Sequence, residues 1–161
     1  MIEHVIRFVL SNLPSILFFV ALLVPTFTTK RTAEDYLKWL LLLSVGVDGV
    51  WVGLFHIFLP QVAAGFIGWQ VSPFQYEVGV SDFALGVIGI MAFRRPLPFK
   101  AAVVTFASLF FVGAAIGHVR EIVEAGNFSP GNGGLLLVIT IIRPVLMITW
   151  LLKASRKKAF A

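Results

Sequence analysis

Ten polar side chains have the chemistry to bind a ligand or pass a proton, and they fall into two groups. Asp48, Asp82 and Arg143 each stand inside a long apolar run. An ion at the centre of a bilayer costs about 2.5–3.5 kcal/mol on insertion scales. Three separate charges facing lipid are therefore disfavoured, and one shared interior site is the economical solution. Arg143 is expected to pair with Asp48 or Asp82, either as a structural ion pair or as part of a proton or ion relay. Pro144 beside it frees a backbone carbonyl one turn earlier, which offers the guanidinium a further acceptor.

The second group is His56, Gln75, Glu77, His118, Glu121, Asn127 and Asn132. His118 and Glu121 stand three residues apart, on one helix face. Imidazole with carboxylate suits zinc, iron or manganese, so His56, Glu77, His118 and Glu121 are candidate metal ligands. A helical Glu-x-x-His is the ligand pair of di-iron bundles. Here the order is reversed, it occurs once, and the ligands are too few for such a centre. The same groups could serve as acid and base on a lipid-like substrate. No serine or cysteine nucleophile motif and no cofactor fingerprint accompanies them, so the cofactor stays unknown. The competing reading is a hydrogen-bonded network capping helices at the water boundary. Glu121 and Glu124 precede Gly126 in a last helical turn, where the dipole disfavours negative charge. Arg120, His118 or a bound cation is expected to compensate them.

The elements that position these groups follow from composition. The 161 residues are 58% hydrophobic and only 13% charged, against about 25% charged in a soluble domain. Mean hydropathy is +0.93. Several apolar runs reach the length of about 20 residues that a membrane span needs. The expected fold is all-α: a single domain over 1–161, a polytopic transmembrane helix bundle in the cell membrane. Spans are expected at 8–27, 38–60, 73–93, 98–120 and 133–152. The first apolar run lacks a basic leader and a small-residue cleavage site, so it reads as a retained helix. Cysteine is absent, which excludes disulfides and thiolate chemistry.

Five spans sort the basic residues sharply. Lys30, Arg31, Lys38, Arg94, Arg95, Lys100 and the tail Lys153, Arg156, Lys157 and Lys158 fall on one side; Arg7 and Arg120 fall on the other. The positive-inside rule then puts the N-terminus out and the C-terminus in. The net charge of +5 is thereby an orientation signal, with the bilayer as partner and no nucleic acid implied. Trp39 and Trp150 suit the inner headgroup level and Trp69 the outer. The segment QVAAGFIGWQ is too apolar for a free loop and too short to cross. A short interfacial or re-entrant helix is expected there, at about 61–70.

Local signals fix the register. In SPFQ, Ser72 can cap the third span, Pro73 suits its first position and Gln75 completes a capping box. Glu77 one turn on is favoured by the helix dipole. Gly46, Gly49 and Gly53 recur in span two and Gly79, Gly86 and Gly89 in span three. Gly113 and Gly117 form a GxxxG in span four. Small residues let helices approach closely within lipid, so His56 and Asp82 are expected on these seams. Gly126 suits a helix end, Pro130–Gly131 a tight turn and Asn132 a helix cap.

The stretches SPFQYEVG and GHVREIVEAGNFSPGNGG resemble an uncharacterised family of small bacterial and archaeal polytopic membrane proteins. The resemblance covers spans two to five. It implies that Gln75, Glu77, His118, Asn127 and Asn132 belong to one outer-side feature, and it carries no reaction or substrate. Three functions remain open on the sequence. The first is a small membrane protein with an outward-facing polar site that binds and transports a small ligand, cation or protons. Five spans without an inverted repeat are few for a transporter, so a homo-oligomer is then expected. The second is a membrane-embedded metal-dependent or acid/base enzyme. The third is a structural or accessory subunit. His56, Glu77 and His118 are expected to face one shared space beneath the QVAAGFIGWQ cover.

Overall fold

The computed structural model describes the backbone of residues 2–28 and 31–159 and the side chains of residues 8, 11–28 and 31–156. Lys30 and the side chains of Arg7, Lys157 and Lys158, used above for orientation, lie outside these. The described residues are all helical or in short connections, without a strand. Helix α1, Ile2–Leu23, runs on into a short 3-10 turn at Val24–Phe27. Helix α2 spans Ala33–Phe58, α3 Pro60–Ile67, α4 Pro73–Ala92 and α5 Leu97–Ala125. A single turn, α6, at Pro130–Gly133 leads into α7, Leu135–Ala159.

Three of these helices are long and apolar enough to cross a membrane: α2, α5 and the segment Pro130–Arg156 that joins α6 to α7. Helix α4 has 20 residues, a length of about 30 Å, but Gln75, Glu77, Ser81 and Asp82 dilute its hydropathy. The apolar segment Ser11–Phe27 takes in the latter part of α1 and the 3-10 turn that follows it. Large apolar side chains face outward along the bundle, among them Phe106, Leu109, Ile116 and Val145. An apolar exterior of this kind is what a lipid solvent selects, and water would penalise it.

Helix α2 is the hub. Its middle section packs on α1 and α4, and its final section, Asp48–Phe58, lies along α4. Helix α5 packs along α7, and α7 also meets the start of α2. The core between them is built from Leu37, Leu40, Leu41, Leu85, Val104, Ile139 and Met147. Helix α2 starts on a capping box. Asp35 N–H donates to Thr32 Oγ1 and Thr32 N–H donates to Asp35 Oδ2, each at 3.1 Å. Sequence reading treated these residues as loop.

The glycine seam expected between spans two and three is present and very tight. A Cβ added to Gly86 would stand 2.4 Å from Val50 N, and one on Gly53 would stand 2.6 Å from Phe83 N. The two backbones touch, so only glycine fits. Gly113 and Gly117 behave differently: an added Cβ would meet nothing within 4 Å at either. Their GxxxG spacing therefore marks no helix contact among the described residues, because α7 packs on another face of α5.

Candidate functional site: a buried charged centre and a polar clamp

Asp48 and Arg143 meet in the middle of the bundle. An Arg143 guanidinium N–H donates to Asp48 Oδ2 at 2.9 Å, with both side chains buried. The guanidinium also sits over the Phe111 ring, 4.4 Å from its centroid. Stacking on an aromatic face suits a planar, weakly hydrated cation. The sequence anticipated an acidic partner for Arg143 but not Phe111, whose only signal is one phenylalanine among sixteen.

Helix geometry brings Asp82 to the same place. The Gly49–Gly86 contact lays α4 directly against α2, so that Asp82 O stands 2.8 Å from the Cβ position of Gly49. Asp82 is buried and within electrostatic reach of both Asp48 and Arg143. Its carboxyl makes no hydrogen bond among the described residues. Two further atoms at the centre are buried without partners among the described residues, Asp48 Oδ1 and Arg143 Nε. The carbonyl acceptor anticipated from Pro144 does not reach Arg143 Nε.

Asp48 follows a π-helical section, Leu40–Val47. Its N–H donates to Leu43 O, five residues back. The wider turn shifts register by a fraction of a turn, so Asp48 can face α7 while Gly46, Gly49 and Gly53 face α4. Such insertions concentrate at functional sites. Nothing in LLLLSVGV announces one, since its residues are as compatible with an α-helix.

The second group lies at the end of the bundle that carries Trp69 and Gly126. Asn132 is fully buried there. Its amide N–H groups donate to His118 O at 3.1 Å and Asn127 O at 2.9 Å, and its Oδ1 lies 2.7 Å from His118 Nδ1. Two carbonyl partners fix the amide orientation, so Oδ1 is an acceptor and His118 Nδ1 must carry the proton. Asn127 reaches the other way, its amide donating to Ile67 O at 3.0 Å at the end of α3. Gly68 then turns left-handed, at φ 77, with Ser129 and Asn127 packed where a side chain would stand. Trp69 covers His118, ring centroids 5.5 Å apart.

This clamp corrects two capping expectations. Ser72 has the extended backbone of a helix cap but makes no side-chain cap bond. Gln75 leaves it to donate to Pro60 O at 2.8 Å, fastening the first turn of α3. Asn132 caps no helix; it sits inside α6 and ties α5 to the Asn127 loop. The short helix expected near 61–70 is α3, held at both ends by these amides.

The remaining candidates stand apart from the clamp. His56 packs against Gly79 on the α2–α4 seam, with its Nδ1 buried and unpartnered. Glu77 is exposed. Glu121 has no side-chain partner among the described residues, while Glu124 pairs with Arg120 at 2.9 Å on the surface. Among the described residues no three His, Cys, Asp or Glu side chains are grouped to hold a metal ion. The set His56, Glu77, His118 and Glu121 is thus not gathered into a ligand cage: its members lie on three helices, and His118 Nδ1 is committed to Asn132.

A family described as a family of unknown function, DUF6790, matches residues 6–160. No curated protein and no solved structure gives a significant match.

Proposed function

The chain belongs to that family of unknown function, and from its own residues we propose a multi-pass cell-membrane protein that moves protons or a small cation through its charged centre. Five spans are assigned, α1, α2, α4, α5 and α7, with the N-terminus outside and the C-terminus inside. Supporting this are the outward apolar faces and the gathering of Arg94, Arg95 and Lys100 at one end. The Trp69 end is then the outer one, and exposed Phe58, Phe74, Tyr76 and Phe128 there suit the headgroup level.

One observation carries the functional reading. Arg143 already neutralises Asp48, yet a second carboxylate, Asp82, is buried beside them. Two acids and one cation leave an excess negative charge in an apolar interior, where an uncompensated ion costs several kcal/mol or roughly that order. A proton or a small cation removes the excess, and a site that must take one up can also hand it on. His56 lies at the outer end of the same α2–α4 seam, and Glu77 stands exposed on the outer turn of α4, where it can gather cations before they reach the seam. Five spans without an inverted repeat favour a homo-oligomer as the working unit.

The test is ion flux in proteoliposomes. Protein reconstituted around a pH-sensitive dye should change lumenal pH when a sodium or potassium gradient is imposed. Asp82→Asn should fold and end that change. Unaltered flux in this variant would remove the charged centre from the mechanism. The metal-enzyme reading draws no support from the geometry, and the clamp around Asn132 is better read as structure than as a ligand site.

A further inference from the structure

At the end of the bundle opposite the clamp, about 27 Å along α5 from His118 at 1.5 Å per residue, a cavity of 490 Å³ opens between the start of α2 and the α4–α5 loop. Lys38, Lys100, Arg94 and Arg95 line it together with Glu34 and Asp35. The lysines are already committed. Lys38 pairs with Asp35 at 2.5 Å, and Lys100, itself buried, pairs with Glu34 at 3.0 Å and donates to Arg95 O at 2.5 Å. The two arginines are not. Arg94 makes no ion pair among the described residues, and the Arg95 guanidinium contacts only the Phe99 ring, 5.9 Å from its centroid.

The cavity therefore holds two guanidinium groups in excess of its carboxylates. Planar guanidinium forks match phosphate oxygens in pairs, and two of them suit one phosphate. A second cavity of 300 Å³ adjoins across Pro96 and is lined by Pro96, Leu97, Pro98, Ala101 and Ser155. Its lining is apolar apart from the serine. A charged compartment next to an apolar one has the polarity of an amphiphile rather than of a soluble anion.

We propose that the paired cavities bind an anionic phospholipid, with its phosphate on Arg94 and Arg95 and its glycerol end against Pro96, Leu97 and Pro98. The site goes beyond the ion-path reading and depends only on the chain lying in a bilayer. Lipid occupancy would hold the α4–α5 loop against the start of α2.

Native mass spectrometry of the detergent-purified chain can test this, titrating phosphatidylglycerol or phosphatidylcholine of matched acyl chains. The expected result is one retained phosphatidylglycerol, bound about tenfold more tightly than phosphatidylcholine, given the pull of each basic residue on anionic lipid. The double variant Arg94→Gln/Arg95→Gln should lose that preference, and Arg94→Lys/Arg95→Lys should keep part of it. Equal binding of the two lipids by the unaltered chain would overturn the proposal, even if the variants failed to fold. A preference surviving in the glutamine variant would overturn it too, by moving the lipid to other basic residues such as the C-terminal run. Calorimetry with inorganic phosphate separates the remaining source. Saturable phosphate binding without any lipid preference would replace the phospholipid by a soluble phosphate ligand.

Discussion

Asn132 uses both its amide hydrogens and its carbonyl oxygen on neighbours within the chain, whereas Asp48 keeps one carboxylate oxygen buried and unpartnered only part of the bundle away. Both regions bury polar groups among apolar helices, the clamp drawing on α3 to α6 and the charged centre on α2, α4, α5 and α7. The clamp is closed: each amide finds a backbone carbonyl, and the result fastens α3 and α6 onto the helix ends. The charged centre is open: Asp48 Oδ1, Arg143 Nε and the Asp82 carboxyl still have bonding capacity. A closed network rigidifies, since all its members depend on each other. An open one holds capacity that something outside the fold can fill.

The sharpest test of that contrast is Arg143→Met. Removing one partner of a buried pair leaves an uncompensated charge, at a cost of about 3–5 kcal/mol. Thermal or denaturant unfolding in detergent should show the loss. Adding Asp48→Leu should restore most of it, because apolar replacement of a whole pair is often neutral. A single-variant cost under about 1 kcal/mol, as for an exposed pair, would mean that water reaches the centre.

Next in size is Gly86→Ala, which places a Cβ 2.4 Å from Val50 N. Overpacking of this kind costs about 1–3 kcal/mol. It should also move Asp82 away from Arg143, so flux should fall together with stability. Retained flux in a destabilised variant would separate the seam from the centre and weaken the ion-path reading.

These two sites also show what a sequence can and cannot disclose. The α2–α4 seam was legible because glycine at three- and four-residue steps has a direct steric meaning, and the acidic partner of Arg143 was legible because a charge in lipid demands one. The same glycine logic failed at Gly113 and Gly117: spacing says that approach is allowed, while the packing of α7 decides where it happens. The Thr32–Asp35 box was readable in TAED and was overlooked beside the basic residues around it. The π-helical section had no signal, since its cost and its purpose lie in what Asp48 must face. The clamp was half visible. Gln75, His118, Asn127 and Asn132 were singled out while Gly68 and Ser129 were not, and amides that bond backbone carbonyls across long sequence separations look identical to ligand-binding amides until the partners are placed.

Asn132→Ala probes the closed side of the comparison. It strands His118 Nδ1 and two carbonyls, at a cost of about 1–2 kcal/mol by the scale of interhelical hydrogen bonds in membranes. Hydrogen exchange should quicken in α3 and the Asn127 loop, with flux unchanged. Lost flux at intact stability would turn the clamp into a functional element and erase its difference from the charged centre.

Glu77→Gln is the smallest expected change and the most discriminating. Glu77 is exposed, and its side chain has no partner among the described residues, so no contact is lost. Stability should stay within about 0.5 kcal/mol, as for surface substitutions away from special features. Its position on α4, five residues before Asp82 at about 1.5 Å per residue, sets it nearer the outer end than the charged centre, on the exposed side of the helix and outside the clamp. If protons or cations gather at the outer end of α4 before they enter the α2–α4 seam, the lost carboxylate lowers their concentration at that surface. Flux should then drop by less than in Asp82→Asn and recover as the driving gradient is raised. Flux equal to that of the unaltered chain at every gradient would place the entrance elsewhere, leaving His56, with its buried unpartnered Nδ1, as a packing residue of the seam.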